Sequence, residues 1–510
     1  MKRKCGIALL GGISGWLLVV GQVAAGLEWT GALDAIHASD IKMHIDVLAD
    51  DSFEGREAGT PGGQAAGDYL AQQLKRFGLQ PAGDQGTYFQ QFRGNCRNVL
   101  GVIQGSDRQR KHEYIVVGAH YDHVGYGTPR TSFGPLGVIH NGADDNASGV
   151  AGVLAVIEGF LALGQPPRRS ILFAFWDGEE QGLWGSKHWT AHPTVPLHQV
   201  VMKINADMIG HLREDQVFVF GTRTAKGLRR LVSHGNVNTD LTVDFSWDLK
   251  ANSDHHPFFA RDVPVLMLHT GLHEFYHRPT DQAHRINHQG SQRVARLMFA
   301  IAYQLANSDS VPEFRTLSRS ERPSDLVELE RPLPARTPRL GVSLAADQND
   351  PDQIVLTRVF AGLPADHAGL RPGDALLRFA DAAVEDVPSL LMRVLKVESP
   401  TSVQIRRQHE DEVDEIDLSV TLDHRPLRLG VSWREDCAEP GTLVLSQVIP
   451  YSPAEVAGLQ VADRIYEIGG RTFADGDAFR DLVAIWTGPM PLLVERQGRL
   501  RTVTVELPSQ

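Results

Sequence analysis

The stretch Gly118-Ala119-His120-Tyr121-Asp122-His123 decides the fold, because it comes directly after the apolar run Tyr114-Ile115-Val116-Val117. A continuous apolar run of this kind predicts a buried strand of a parallel sheet that ends near His120. Residues two apart in an extended chain point to the same side. The carboxyl ends of parallel strands are where open α/β sheets carry their sites. His120 is therefore a candidate metal ligand, and Asp122 is predicted to accept a hydrogen bond from its second ring nitrogen.

Apolar runs and helical patterns alternate around this stretch. Further strands are predicted at residues 98–103, 170–176, 200–204 and 264–268. Helices are predicted over residues 32–49, 64–77, 149–163, 226–233 and 288–306. A further helix is predicted to begin at about residue 181. Strands that alternate with helices predict an α/β domain with a mostly parallel, helix-flanked sheet.

The N-terminus has the pattern of a signal peptide over residues 1–25. Lys2-Arg3-Lys4 precedes an apolar run, and Val23-Ala24-Ala25 offers small residues for cleavage. An uncleaved anchor helix is the alternative, although the run is shorter than the ~20 residues that span a bilayer. We therefore expect an exported bacterial protein, periplasmic or secreted, without stable membrane insertion after cleavage.

The net negative charge of the chain argues against two classes of partner. The 510 residues carry a formal net charge of −12, and cleavage after residue 25 would remove three positive charges and give −15. An excess of negative charge disfavours nucleic acid and anionic membranes as partners. Only Cys96 and Cys437 would remain, in different predicted domains, so we expect no disulfide framework.

The C-terminal part of the chain is a tandem repeat. Residues 308–337 are rich in Ser, Arg, Glu and Pro and predict a linker between the first domain (26–307) and the C-terminal repeat. Arg339-Leu340-Gly341-Val342-Ser343 then recurs 89 positions later as Arg428-Leu429-Gly430-Val431-Ser432. The length of 510 residues and this period predict two small β-rich domains, at 338–424 and 425–510.

Acidic residues and histidines come after the other predicted strands of the first domain. They are Asp145, Glu179 and Glu180, Asp207, and Tyr276-His277. Asp144 competes with Asp145, and spacing alone does not rank two adjacent acids. Each group by itself is more often structural, but their joint occurrence at strand ends indicates a metal site.

These motifs resemble the co-catalytic zinc aminopeptidases of the M28 peptidase clan. The matching segments are His120-Tyr121-Asp122, Asp145-Asn146-Ala147-Ser148-Gly149, Gly178-Glu179-Glu180, Asn205-Ala206-Asp207-Met208, and Tyr276-His277 after Ser253-Asp254-His255. The resemblance covers residues 40–306 and implies a zinc-exopeptidase fold, two Zn²⁺ ions per chain and peptide substrates with a free N-terminus.

The resemblance also implies a role for each matching residue. His120 and Asp207 would bind one zinc ion, Glu180 and His277 would bind the other, and Asp145 would bridge the two. Glu179 would be the general base, Tyr276 would donate a hydrogen bond to the substrate carbonyl, and Asp122 would orient His120. The other histidines exceed the number of ligands needed, and His255 is the one expected to orient a ligand.

Two other functions compete with this one. Glutaminyl cyclases and carboxypeptidases use the same scaffold, but such cyclases bind one zinc ion, and the full five-ligand set argues against them. The second alternative is a non-catalytic protein in which the first domain is a scaffold for peptide recognition.

The repeated units resemble bacterial PDZ domains. The two Arg-Leu-Gly-Val segments would form the loops whose backbone N–H groups bind the carboxylate of C-terminal peptide ligands. Ala462 stands in the second unit where the first has Gly373, which leaves the geometry of that loop open.

Overall fold

The structure is a computed structural model that describes residue 29 and residues 31–348, 350–409 and 412–507. The predicted signal peptide lies outside these residues. The chain divides into two compact units, the first ending at Pro323 and the second beginning at Ser324, with residues 497–499 grouped with the first. This division falls inside the segment that the sequence predicts as a linker.

The first unit is built on a nine-stranded mixed sheet. Its strands are β1 (Gln80–Pro81), β2 (Phe89–Phe92), β3 (Cys96–Ile103), β4 (Tyr114–His120), β5 (Ser170–Trp176), β6 (Val200–Ala206), β7 (Gln216–Phe220), β8 (Thr242–Ser246) and β9 (Val265–His269). The order is β1-β3-β5-β4-β6-β9-β7-β8, and β2 also pairs with β3. The central strands β5, β4, β6 and β9 are parallel, so their carboxyl ends share one edge.

Helices flank this sheet. They are α1 (Ala38–Leu48), α2 (Pro61–Arg76), α3 (Gly149–Ala162), α4 (Trp184–Ala191), α5 (Leu228–Gly235), α6 (His256–Phe259) and α7 (His288–Asn307). A π-helical turn over Ala143–Ser148 runs directly into α3. Of the described residues, the segment Ala143–Ala162 has the length and composition of a membrane span, and 83% of its most apolar window is buried inside the fold. A helix that is apolar on all sides belongs in a core, and α3 packs there against α7.

The predicted α/β class with a mostly parallel, helix-flanked centre is confirmed, with corrections at its margins. The patterns missed the short strands β1, β2, β7 and β8, which add antiparallel and edge pairings. The predicted strand β3 also pairs antiparallel with β5, so the sheet is parallel only in part. The predicted helix over 32–49 is interrupted before α1. The carbonyl of Ile36 accepts hydrogen bonds from Gln292 and Arg296 of α7, so the chain is bound there by tertiary contacts instead of helical ones.

The second unit contains two small sheets with the same strand order. The first has β10 (Val342–Ala346), β11 (Ile354–Val359), β12 (Ala375–Phe379), β13 (Ala382–Ala383), β14 (Thr401–His409) and β15 (Glu412–Val420). The second has β16 (Val431–Glu435), β17 (Leu443–Val448), β18 (Arg464–Ile468), β19 (Pro489–Arg496) and β20 (Arg499–Glu506). The helices of this unit are α8 (Pro323–Glu330), α9 (Pro364–His367), α10 (Val387–Lys396), α11 (Pro453–Val456) and α12 (Gly476–Ile485).

The two copies also share an ion pair between equivalent side chains. Arg407 forms a bidentate ion pair with Asp374, with both N–O distances 2.7 Å, and Arg496 pairs with Asp463 in the same way at 2.6 and 2.7 Å. Both partners are 89 positions apart between the copies. The two copies therefore share their architecture, as the sequence repeat predicts.

The N-terminal part of the predicted linker is held to the first unit by ion pairs. Glu321 accepts hydrogen bonds from Arg223 and Arg315, with its carboxylate oxygens 2.7–3.1 Å from their nitrogens. Burial alone would raise the pKa of Glu321, but these two arginines outweigh it and lower the pKa to about 2. Residues 315–321 are therefore part of the first unit, and the structured C-terminal unit begins directly after it, at Ser324.

Candidate active site

The predicted site residues lie at the carboxyl edge of the parallel strands. His120 ends β4, Asp145 precedes α3, Glu179 and Glu180 come after β5, Asp207 comes after β6, and Tyr276 and His277 lie in the loop after β9. All of them line one cleft; Asp122 does not, and its side chain is fully buried.

A first group of ligand atoms forms around His277. Its Nε2 lies 3.0 Å from Oδ2 of Asp145 and 3.2 Å from Oε2 of Glu180. The other ring nitrogen, Nδ1, lies 2.7 Å from the carbonyl oxygen of Thr131, which orients the ring. A second histidine, His123, joins this group, with its Nδ1 2.9 Å from Oε1 of Glu180.

A second group forms around His120. Its Nε2 lies 3.3 Å from Oδ1 of Asp145 and 3.6 Å from Oδ1 of Asp207. Asp145 therefore presents one carboxylate oxygen to each group. This is the arrangement that a carboxylate bridging two cations requires.

The donor set fits zinc. Zn²⁺ accepts imidazole nitrogen and carboxylate oxygen at about 2.0–2.1 Å, which places the donors of a tetrahedral site roughly 3.3 Å apart. The donor distances of 3.0–3.6 Å in both groups match this spacing. Asp145, Glu180 and Asp207 are buried carboxylates held close together, and buried like charges need a compensating cation.

Protonated imidazole supplies part of that compensation. Burial would lower the pKa of His277, but the carboxylates of Asp145 and Glu180 outweigh it and raise the pKa to about 11. A metal ion would take over the role of this proton, because a ligating imidazole must be neutral.

Asn146 explains why the motif after Asp145 has its residue types. Its Oδ1 accepts hydrogen bonds from the backbone N–H groups of Gly149 and Met208, both at 3.0 Å, and its Nδ2 donates to the carbonyl of Ala206 at 3.1 Å. A Cβ on Gly149 would lie 2.2 Å from Oδ1 of Asn146 and 2.7 Å from the Ala206 carbonyl oxygen. The motif thus ties the Asp145 loop to the strand that carries Asp207.

Asp144, which spacing does not rank against Asp145, is directed away from both groups. Its Oδ1 accepts hydrogen bonds from Ser148 and from the backbone N–H of Gly210, and its Oδ2 lies 3.0 Å from Nε2 of His273. Of the two acids only Asp145 belongs to the ligand groups around His120 and His277.

The structure corrects the predicted role of Asp122, whose carboxylate was expected to accept a hydrogen bond from His120. The Nδ1 of His120 is nearer to the backbone carbonyl oxygen of Asp122, at 3.1 Å, than to its carboxylate, at 3.7 Å. The carboxylate itself accepts hydrogen bonds from the backbone N–H groups of Glu179 and Glu180, at 3.0 and 3.3 Å. Asp122 therefore fixes the turn that presents both glutamates.

Glu179 and Tyr276 face the cleft beside the ligand groups. Burial is the main cause that raises the pKa of Glu179 well above its ordinary value, and Glu180, Asp254 and Asp207 add to it, while the charge on His120 opposes it. Burial and the surrounding carboxylates also raise the pKa of Tyr276. Tyr276 is therefore a neutral hydroxyl that can donate a hydrogen bond.

The cleft has a volume of about 340 Å³ and extends from the ligand groups over an apolar wall. The wall is formed by Met208, Phe218, Phe220, Met267 and Leu272. Asp248 and Lys250 also line the cleft and form an exposed ion pair at 2.6 Å.

The structure does not bear out the expected role of His255, and it assigns the orientation of Asp207 to another residue. His255 was expected to orient a ligand, but within the described residues neither of its ring nitrogens has a hydrogen-bond partner. Ser253 does so instead, because its hydroxyl donates to Oδ2 of Asp207. Asp281 was also missed: its carboxylate accepts from the backbone N–H groups of Asp144 and Asp145. Ser253 stands in a segment that the resemblance includes, but no role was predicted for it, and Asp281 had no local signal. Both lie far along the chain from the ligands they support.

Comparisons with known proteins find partial matches. Residues 98–302 match the family model of "Peptidase family M28", and residues 444–488 match that of "PDZ domain". Aminopeptidase YwaD of Bacillus subtilis is 26% identical over 243 residues, which are 46% of this chain and 50% of that protein. Leucine aminopeptidase 1 of Arthroderma otae is 28% identical over 230 residues, 41% of this chain and 55% of that protein. The chain thus spans about half the length of these curated relatives.

Two solved structures are similar in part. LapA of Legionella pneumophila is 21% identical, with a TM-score of 0.47 over 56% of this chain and 77% of that one. BSAP, a zinc aminopeptidase from Bacillus subtilis, is 16% identical, with a TM-score of 0.43 over 54% of this chain and 97% of that one. Two segments of the chain thus match known family models: residues 98–302 match that of a peptidase family, and residues 444–488, in the C-terminal region, match that of the PDZ domain.

Proposed function

We propose that the protein is an exported dinuclear zinc aminopeptidase that removes N-terminal residues from peptides. The observation that carries the proposal is the carboxylate of Asp145, which offers Oδ2 to the His277 group and Oδ1 to the His120 group. The names of the relatives and the family match support the same class of reaction.

The chain's own residues would divide the chemistry between them. Two zinc ions, when bound by His120, Asp207, Glu180, His277 and Asp145, would polarise the scissile carbonyl and lower the pKa of the attacking water. The carboxylate of Glu179 takes a proton from that water and passes it to the leaving amine. The hydroxyl of Tyr276 donates a hydrogen bond to the oxygen of the substrate carbonyl as negative charge develops there.

The cleft indicates the kind of residue removed. Its wall of Met, Phe and Leu side chains suits an apolar N-terminal side chain, because burial of apolar surface favours binding. We therefore expect leucine-, methionine- or phenylalanine-like N-termini to be preferred over charged ones.

The C-terminal unit would recruit peptides through its first copy. In the second copy, Trp433 of β16 packs edge-on against Phe479 of α12, with ring centroids 5.4 Å apart, and Glu435 accepts a hydrogen bond from the N–H of Gly476. These contacts join strand and helix in the second copy, at the place where a PDZ ligand would bind, and we propose that they close its groove. The equivalent positions of the first copy hold the smaller Leu344 and Ala346.

A groove lies beside the first copy. A cavity of about 110 Å³ next to the loop of Leu340 and Gly341 is lined by the apolar side chains of Val342, Leu391 and Val394, and Pro450 and Tyr451 of the second copy line its other side. We propose that this groove binds peptides with an apolar C-terminal residue, which would raise the local concentration of substrate.

Metal analysis and a substrate panel test the proposal. We expect about two zinc ions per purified chain, because the donor set offers one ligand more than a single tetrahedral zinc would use. Aminoacyl-4-nitroanilides with apolar side chains should be hydrolysed, and chelators should abolish the activity until zinc is restored. One zinc ion together with cyclisation of N-terminal glutamine would favour the glutaminyl cyclase alternative, and intact peptide binding without hydrolysis would favour the non-catalytic scaffold.

A further inference from the structure

His123 is a buried histidine that the proposed reaction does not use. Its side chain is fully buried and its Nδ1 lies 2.9 Å from Oε1 of Glu180. The same nitrogen is 3.9 Å from Oδ2 of Asp145, so the ring stands at the edge of the first ligand group.

The position of the His123 ring is fixed from two sides. Gly142 packs directly on it, and a Cβ at that position would lie 2.4–2.5 Å from the ring carbons. The backbone N–H of His123 donates to the carbonyl of Arg56 at 3.2 Å. The buried guanidinium of Arg56 in turn donates to the carbonyls of Tyr121 and Gly142, both at 2.9 Å. The ring therefore has little freedom to turn away from Glu180.

The surroundings of the second ring nitrogen decide which one carries the proton. The Nε2 of His123 is buried and has no hydrogen-bond partner among the residues that the structure describes. A proton on Nε2 would leave a buried donor unsatisfied, whereas a proton on Nδ1 is accepted by Oε1 of Glu180. The tautomer with hydrogen on Nδ1 is therefore favoured, and this nitrogen then has no lone pair for a metal ion.

We propose that His123 is a positioning residue: its Nδ1–H binds Oε1 of Glu180, so that Glu180 offers only Oε2 to the metal shared with His277 and Asp145. The geometry agrees, since Oε2 is the oxygen that lies 3.2 Å from Nε2 of His277. A hydrogen bond to a ligating carboxylate fixes its orientation and strengthens metal binding. The inference rests on the proposed zinc site, and it concerns one of the two ions only.

Zinc affinity of the metal-free protein is the direct test. Zinc is titrated in competition with a chromophoric chelator, and Co²⁺ absorption reports each site separately. We expect His123→Leu to weaken one of the two binding steps by ~10–100-fold, the usual effect of losing such a hydrogen bond. The other step should change by less than about threefold, because the hydrogen bond of His123 is to Glu180, which is not a member of the His120 group.

Two conservative variants distinguish a donor from a ligand. His123→Asn places an amide N–H near the position of Nδ1 and should keep zinc affinity within a few-fold of the parent. His123→Gln places its amide near Nε2 instead and should behave like His123→Leu. If His123→Leu does not fold, as judged by circular dichroism and Tm, the Asn and Gln variants still decide between the two roles.

A control variant separates positioning from general loss of a buried histidine. His44→Leu removes another buried imidazole, hydrogen-bonded to Tyr69 at 2.6 Å, and should leave both zinc affinities unchanged. Equal loss in His123→Asn and His123→Leu would overturn the inference and make the imidazole itself a ligand. Unchanged affinity in both would reduce His123 to packing, and absence of tight zinc binding by the parent would overturn the proposed function as well.

Discussion

The carboxylate of Asp122 accepts a hydrogen bond from the backbone N–H of Glu179 at 3.0 Å. Asp122 comes after β4 and Glu179 comes after β5, and these strands are parallel neighbours. The contact therefore couples the strand that carries His120 to the turn that carries the proposed general base. The backbone N–H of Glu180 also donates a hydrogen bond to this carboxylate. Asp122 therefore determines the position of both glutamates.

Asp122→Asn should lower kcat by about 10–100-fold with little change in KM, because it replaces one of the two acceptor oxygens that hold the base and one ligand by an amide NH₂ group, which cannot accept. Asp177→Asn is the matched control: burial raises the pKa of Asp177 to about 7, so its carboxyl tolerates neutral replacement better. Steady-state kinetics on a leucyl-4-nitroanilide measure both variants. Equal losses in the two would show that buried charge in general, and not this contact, matters.

The two adjacent glutamates should give different phenotypes. Glu179→Gln is expected to keep both zinc ions and lose at least ~10²-fold in kcat, the usual contribution of a positioned general base. Glu180→Gln should instead lower zinc occupancy, since its carboxylate lies in the His277 group. Metal content and kcat measured on the same preparations test this, and exchanged phenotypes would contradict the assignment.

Lys203 gives the stability of the first unit a pH dependence. Burial lowers its pKa to about 7, and Asp254 opposes this only in part. Between that pKa and the ordinary 10.5, the unfolded chain holds a proton that the folded chain lacks, so stability rises with pH by up to about 1.4 kcal/mol per unit. Lys203→Met should remove this rise in Tm from pH 7 to 10, and Lys42→Met, at an exposed position, should keep it.

Ala462 adopts a conformation that glycine prefers. Its φ is +71°, against +93° for Gly373 in the first copy, and both backbone N–H groups donate at 2.8 Å to the strand carbonyls of Leu445 and Leu356. The loop geometry left open by the sequence is thus the same in both copies. Ala462→Gly should stabilise the second unit by about 0.5–1 kcal/mol, and Gly373→Ala should destabilise it by about 1 kcal/mol. Denaturant unfolding of the full chain measures both, and no gain for Ala462→Gly would contradict the argument.

The two grooves should differ in peptide binding. A peptide with an apolar C-terminal residue should bind once per chain, and Leu391→Glu should weaken it by at least ~10-fold, since it buries a charge in the first groove. Trp433→Ala should add a second binding event by opening the second groove. Fluorescence polarisation with labelled peptides measures both, and binding that survives Leu391→Glu would place the ligand elsewhere.

The sequence by itself determined the central strands and the residue types of the site. Continuous apolar runs such as Ser170–Trp176 have one stable environment, the buried middle of a parallel sheet, and the acids and histidines that come after them must meet at its carboxyl edge. The tandem repeat could also be predicted from the sequence, because the offset of 89 positions between equivalent residues is visible in the chain itself.

Only the tertiary structure decided between neighbours and assigned partners. Asp144 and Asp145 are equivalent in spacing, and what separates them is that Oδ1 of Asp144 binds the N–H of Gly210, on a distant segment. The contact of His123 with Glu180 joins residues 57 positions apart. Hydrogen bonds of this kind depend on how strands are placed side by side, and no local pattern of residue types encodes them.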